Sequence, residues 1–193
     1  LKANTSGTQN TGIGQSAGFS TTTATDNTFL GFTTGYANTT GANNTALGSQ
    51  ALYSNTTTSD NTAVGYQAGY QNTSNYTTYI GAYAGQNQIG GQNTAVGRGS
   101  FIGSGTPANN TGTLNVAVGY SALTSNTSGA SNTATGHSSL YSNTTGTDNT
   151  AFGYTALRTN STGVNNTAVG SGASYGNTTG NSNVSLDRKS TRL

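Results

Sequence analysis

The sequence predicts an all-β fold, a parallel β-solenoid (left-handed β-roll-like) of about 11 coils of mostly 17 residues, and three observations predict it. The first is a pentapeptide that keeps returning, as Asn44-Thr45-Ala46-Leu47-Gly48, Asn61-Thr62-Ala63-Val64-Gly65, Asn93-Thr94-Ala95-Val96-Gly97, Asn149-Thr150-Ala151-Phe152-Gly153 and Asn166-Thr167-Ala168-Val169-Gly170. The second is register. The closing glycines are Gly14, Gly31, Gly48, Gly65, Gly81, Gly97, Gly119, Gly136, Gly153 and Gly170, at successive spacings of 17, 17, 17, 16, 16, 22, 17, 17 and 17. The third is composition. With 30% hydrophobic and 5% charged residues, 29 Gly and 1 Pro, the chain has too few apolar residues for a thick core. Those residues nonetheless recur in phase, which a disordered polar tract would not do.

Each repeat reads as strand, turn, strand, turn. After the glycine, the fifth residue is Phe19, Tyr36, Tyr53, Tyr70, Tyr141 or Tyr175; the seventh is Asn38, Asn55, Asn72, Asn126, Asn143, Asn160 or Asn177; the tenth is often Gly41, Gly129, Gly146, Gly163 or Gly180. Two short apolar sites result, such as Ala51-Leu52-Tyr53 and Ala63-Val64. A unit this short buries its apolar face only by stacking coil on coil. At about 4.8 Å per coil, identical side chains lie above one another, asparagines form ladders, and the rod is on the order of 50 Å long. Glycine supplies the corners.

Along the chain, residues 1–65 are regular opening coils and 120–186 regular closing ones, within one repeat domain spanning 1–186, read as a fragment open at both ends. Between them two coils are one residue short, the stretch from Tyr66 to Tyr83 gathers five tyrosines, and the coil from Arg98 to Gly119 is long and holds Phe101 and Pro107. An eleventh copy opens at Asn183, with Asp187 where its glycine would stand. Residues 187–193 depart from the repeat and resemble the in-frame translation of a common short-read sequencing adapter, so they are read as a non-native scar. Removing Arg188, Lys189, Arg192 and Asp187 takes the net charge from +2 to +2 − 3 + 1 = 0. Without a basic patch, no nucleic-acid partner is expected. No apolar run approaches the roughly 20 residues of a membrane span, so no membrane insertion is expected of this segment.

The residues that carry chemistry are few. His137 follows the repeat glycine, where other coils have Phe32, Tyr66, Tyr120 or Tyr154, and reads as a ladder substitution, since a general base needs an orienting partner. Asp26, Asp60 and Asp148 precede the repeat asparagine; Asp26 and Asp60, two coils apart at roughly 9.6 Å, are too far from one another to share a calcium, and all three read as turn residues. With no Cys and no Glu, thiolate metal sites and glutamate pairs drop out. No catalytic residue, metal or cofactor is expected, and the chain reads as non-enzymatic. The Asn-x-Thr sequons at Asn38, Asn55 and Asn143 are explained by turns and ladders rather than glycosylation.

Alternation sets two expected faces. With Val64 turned into the core, Thr62 turns inward too, and Ala46, Ala63, Ala95, Ala117, Ala134, Ala151 and Ala168 form an outward column of small residues suited to close contact with sister chains. The column of Thr11, Thr28, Thr45, Thr62, Thr94, Thr133, Thr150 and Thr167 is the kind of surface ice-binding solenoids present, but this alternation turns it away from solvent. Candidate ligand-binding residues are Tyr36, Tyr53, Tyr70, Tyr76, Tyr79, Tyr83, Arg98 and Phe101, whose aromatic faces could stack on a glycan or protein ligand.

The segments Asn61 to Ala68 and Asn166 to Ala173 resemble the repeats of trimeric autotransporter adhesin heads, with an Asn, a small-apolar alternation and a closing Gly followed by Ala. They equally resemble the Asn-Thr-rich repeats of phage-type tail-fibre-domain proteins. The resemblance covers about residues 10–186, with coils longer than is usual for the adhesin heads. It implies a left-handed β-roll, a homotrimer, and an extracellular, cell-surface or virion tail-fibre location. The resulting expectation is a structural and adhesive surface-fibre segment with a host-surface glycan or protein as partner. The alternatives are an ice-binding solenoid or a purely structural tail-fibre rod with no ligand of its own.

Overall fold

The structure, a computed structural model, describes residues 1–187; of the tail read as a scar, residues 188–193 lie outside the described residues. Eleven three-residue strands make one parallel sheet in strict sequence order: β1 Thr11–Ile13, β2 Thr28–Leu30, β3 Thr45–Leu47, β4 Thr62–Val64, β5 Thr78–Ile80, β6 Thr94–Val96, β7 Val116–Val118, β8 Thr133–Thr135, β9 Thr150–Phe152, β10 Thr167–Val169 and β11 Val184–Leu186. Pairing is in register at every step, Thr45 opposite Thr62 and Ala46 opposite Ala63, so the chain is the parallel β-solenoid its periodicity predicts.

Only one strand forms per coil. The second apolar site, Ala51-Leu52-Tyr53, is turn, because the residues two and four places after the glycine adopt left-handed backbone, as at Gln50 (φ 60°) and Leu52 (φ 48°). A third left-handed corner precedes the repeat asparagine, at Asp26 (φ 57°), Asp60 (φ 60°) and Asp148 (φ 56°), which is where Asp is tolerated. The turns still bond coil to coil, Leu140 N–H donating to the Ala156 carbonyl at 3.0 Å. The repeat glycine is obligatory twice over. Gly65 has φ 130°, and a Cβ there would lie 2.6 Å from the carbonyl carbon of Gly81 in the next coil.

Seven bulky apolar side chains fill the interior, each reaching it from either the strand or the turn. Where the strand centre is alanine, Leu52, Phe101, Leu123, Leu140 or Leu157 fills the space from the opposite turn; where the strand centre is Phe29 or Tyr79, the turn positions on either side are Gly18 and Gly35, or Gly69 and Gly85. The exchange is steric. A Cβ on Gly35 would meet the Phe29 ring at 2.5 Å, and one on Gly85 would meet Tyr79 at 2.5 Å. Left-handed backbone at a leucine costs about 1–2 kcal/mol, which burial of the side chain, worth about 1.5–3 kcal/mol, offsets.

Two asparagine columns flank this core. Asn61 donates both its N–H and its amide Nδ2 to Asn44 Oδ1 at 3.1 Å, and the pattern repeats through Asn132, Asn149, Asn166 and Asn183. In the second column Asn143, Asn160 and Asn177 each donate to the asparagine one coil before. The amide ladders read from the repeat are present, and they run inside the coil. Asn38, Asn55 and Asn143 are fully buried, so their sequons are not accessible acceptors in the fold.

That burial inverts the expected faces. Ala46, Ala63, Ala95, Ala117, Ala134, Ala151 and Ala168 are all 0% exposed and lie in the core, not on an outward column for sister chains. Thr62 and Val64 face outward instead. The cause is the asparagine: its amide must turn inward to find partners, and alternation carries the alanine two places later to the same side.

Candidate functional site

Three exterior features follow from this geometry. The first is the sheet face. Strand positions one and three point out, giving a threonine column beside an aliphatic one, with no charged residue in any strand. Ile13, Leu30, Leu47, Ile80, Phe152, Val169 and Leu186 are 39–60% exposed along it. Apart from a break at Thr135, the column is apolar throughout, and an apolar stripe of this kind marks a contact surface.

The other two are ladders at the edges of the turn. Phe19, Tyr36, Tyr53 and Tyr70 stack at centroid spacings of 5.0–5.1 Å and interplanar angles of 7–10°, with Lys2 Nζ 5.4 Å from the Phe19 centroid. Partial desolvation, with Tyr53 and Tyr66 nearby, raises the Tyr70 pKa above the ordinary phenol range. The predicted residues Tyr36, Tyr53 and Tyr70 thus come together, but as a stack whose faces cover one another.

The other ladder runs from Tyr66 to Tyr154. Tyr66 and Tyr83 meet edge to face at 5.3 Å. The Arg98 guanidinium lies 5.7 Å from Tyr83 and 5.8 Å from Tyr120, and His137 stacks between Tyr120 and Tyr154 at 5.1 and 5.2 Å. His137 is therefore the ladder substitution its position predicts, and Tyr83 and Arg98 are neighbours. The remaining candidates separate. Tyr76 is 62% exposed and belongs to neither ladder. Tyr79 and Phe101 are fully buried and serve as the bulky core residues of their coils, so neither is available to a ligand. Burial pushes the Tyr79 phenol far up, and its hydroxyl rests beside Asn93 short of a hydrogen bond of good geometry.

A site the sequence reading missed lies in the closing coils. Arg158 takes the ladder position held by Tyr141 one coil earlier and Tyr175 one coil later, its guanidinium 5.0 and 5.8 Å from their centroids. Arg158 Nη1 donates to Tyr175 Oη at 3.2 Å. Beside it a shallow cleft of about 560 Å³ is lined by Tyr154, Thr155, Arg158, Ser171, Gly172 and Tyr175. The signal was in the spacing, since an arginine replaces the aromatic expected five residues after Gly153.

Among the described residues no cluster of three or more His, Cys, Asp or Glu could hold a metal, and no helix is long and apolar enough to cross a membrane. Compared with protein-family models, curated proteins and solved structures, the chain gives no match.

Proposed function

We propose that this chain is a segment of a non-enzymatic surface fibre, on a cell or a virion, that assembles by burying the sheet face against sister chains and leaves its aromatic ladders outside for adhesion. The observation that carries the reading is the uncharged column at the third strand position, apolar in ten of the eleven strands and broken at Thr135, apolar area that a lone rod leaves in water. It moves the chain-to-chain contact from the alanines to Leu30, Leu47, Ile80, Phe152 and Val169. A homotrimer is the number that the adhesin-head resemblance implies. Sedimentation equilibrium of the full chain tests it: a discrete oligomer is expected, converted to monomer by Leu47→Lys with Val169→Lys, and a monodisperse monomer of the unaltered chain ends the reading.

A second reading uses the same face. The threonine column, outward rather than inward, sets hydroxyl and methyl groups at a strand repeat of about 4.8 Å on a charge-free sheet, a surface able to order water into ice. The two readings exclude each other, because assembly would cover the threonines. Thermal hysteresis by a monomer that Thr133→Tyr abolishes would favour ice binding; none is expected from a chain whose sheet face is covered.

A further inference from the structure

We propose that the cleft between Tyr154 and Tyr175 binds a carboxylate-bearing saccharide, with the Arg158 guanidinium taking the carboxylate. The proposal rests on the adhesive part of the fibre reading for its use, and on the cleft itself for its chemistry. The cleft exists because two side chains are missing. The ladder Tyr120, His137, Tyr154 would continue at Ser171, and the residue after it, Thr155 in one coil, is Gly172 in the next. Loss of a ring and of a β-branched side chain in adjacent positions leaves about 560 Å³ open, within the usual range of small-ligand sites.

What lines the opening selects the ligand. Tyr154 is 59% and Tyr175 45% exposed, so both rings keep open surface at the cleft although His137 packs on the one and Arg158 on the other. Such rings take the apolar C–H faces of a pyranose, while phenol and serine hydroxyls bond its oxygens. Arg158 is the sole charge among the lining residues. It is held by two rings and one hydrogen bond to Tyr175, and among the described residues no carboxylate pairs with it. A guanidinium has five N–H donors in a fixed fork that matches a carboxylate, and here the fork is immobilised before any ligand arrives, which lowers the ordering cost of binding. A phosphate polymer would need several cations in a row. The other described cations, Lys2 and Arg98, sit in other coils.

Titration calorimetry on the full chain tests this with 3′-sialyllactose and trigalacturonate as acidic probes, lactose as the neutral one, and a glutamate-rich hexapeptide as an acidic non-sugar. At least one acidic saccharide is expected to bind at least tenfold more tightly than lactose or the peptide. Arg158→Gln should remove that preference and Tyr154→Ala should weaken binding about tenfold, while Lys2→Gln changes neither. Glutamine already occupies the equivalent position at Gln86, so the variant keeps the coil intact. The proposal is overturned if lactose or the peptide binds as well as the acidic sugars, if Arg158→Gln binds unchanged, or if neither acidic probe binds. Sedimentation of the same samples separates the two readings. An oligomer that binds no acidic sugar ends the site and spares the fibre, whereas a monomer that binds one does the reverse.

Discussion

The closing coils, 120–186, and the middle, 66–119, are built on one plan and differ in how completely they follow it. In the closing coils both asparagine columns are continuous, and Leu123, Leu140 and Leu157 fill three successive interiors before Ser174 takes the same place in the last. In the middle Thr77 replaces an asparagine of the first column and Gln88 one of the second. Thr77 bonds Asn61 Oδ1 through both its N–H and its Oγ1 but relays nothing onward to Asn93. Asn110 re-enters the second column after the loop carrying Pro107, donating to the Asn87 and Ser104 carbonyls. Buried polar atoms without partners include Asn72 Oδ1, Tyr79 Oη and Gln88 Oε1 there, with Thr21 Oγ1, Thr33 Oγ1 and Asn38 Oδ1 in the opening coils, and among the described residues none lies in the closing coils. Volume is therefore exchanged freely between strand and turn, as Tyr79 with Gly69 and Gly85 shows, while polar pairing is not. A hydrogen bond needs its partner at one place, and a methylene needs only room.

The largest expected effect breaks the regular half. Gly136→Ala puts a side chain at φ 131°, with its Cβ 2.6 Å from the carbonyl carbon of Gly153, and should cost about 4 kcal/mol or more in urea unfolding. Next is Asn149→Ala, which removes a donor to Asn132 Oδ1 and the Gly163 carbonyl and the acceptor of two Asn166 donors; about 3 kcal/mol is expected. Thr77→Ala in the interrupted column should cost about 1 kcal/mol by the same measurement, since one side-chain bond is lost. Equal losses from these two would dissolve the comparison. Leu157→Ala leaves a cavity in the closing coils at about 2 kcal/mol, read from the shift in denaturation midpoint.

The smallest effect has the opposite sign. Tyr79→Phe deletes an unpartnered buried hydroxyl and should be neutral or stabilising by up to about 1 kcal/mol. Its pH dependence is the sharper readout. Burial raises the folded-state pKa of Tyr79 above the ordinary phenol value of 10.0, so the native chain holds its proton longer than the unfolded one. Stability from this group is full below that pH and falls as pH rises beyond it, by about 1.4 kcal/mol per pH unit. The phenylalanine variant should lose that share of the alkaline decline, as followed by circular dichroism in an alkaline urea series.

Register, coil number, the existence of the amide ladders, the aspartate corners and the place of His137 were legible because each is a matter of counting. Which face of the strand is the core was not, because the larger residue, Val64, was taken for the buried one. Two residues held the answer. Asn61 needs partners for its amide and so fixes the inward side, and Phe29 stands where alanine usually does, with Gly18 and Gly35 around it. The second strand failed for a reason invisible to hydrophobic pattern, the left-handed backbone at Gln50 and Leu52. The cleft at Arg158 was countable but overlooked, being an absence of rings at Ser171 and Gly172 rather than a motif.

The exchange of bulk between strand and turn also governs inheritance. Coils with alanine strands and leucine turns are interchangeable, so excising residues 137–153 would join Gly136 to Tyr154, leave Ala134 between Leu123 and Leu157, and give a shorter rod that still folds. Excising residues 32–48, also one repeat, would set Leu52 against Phe29 in place of Gly35 and overfill the coil. A gene for such a rod can lengthen or shorten by whole repeats only at permitted seams, and Phe29 and Tyr79, each with its two glycines, mark blocks that must be copied or lost together.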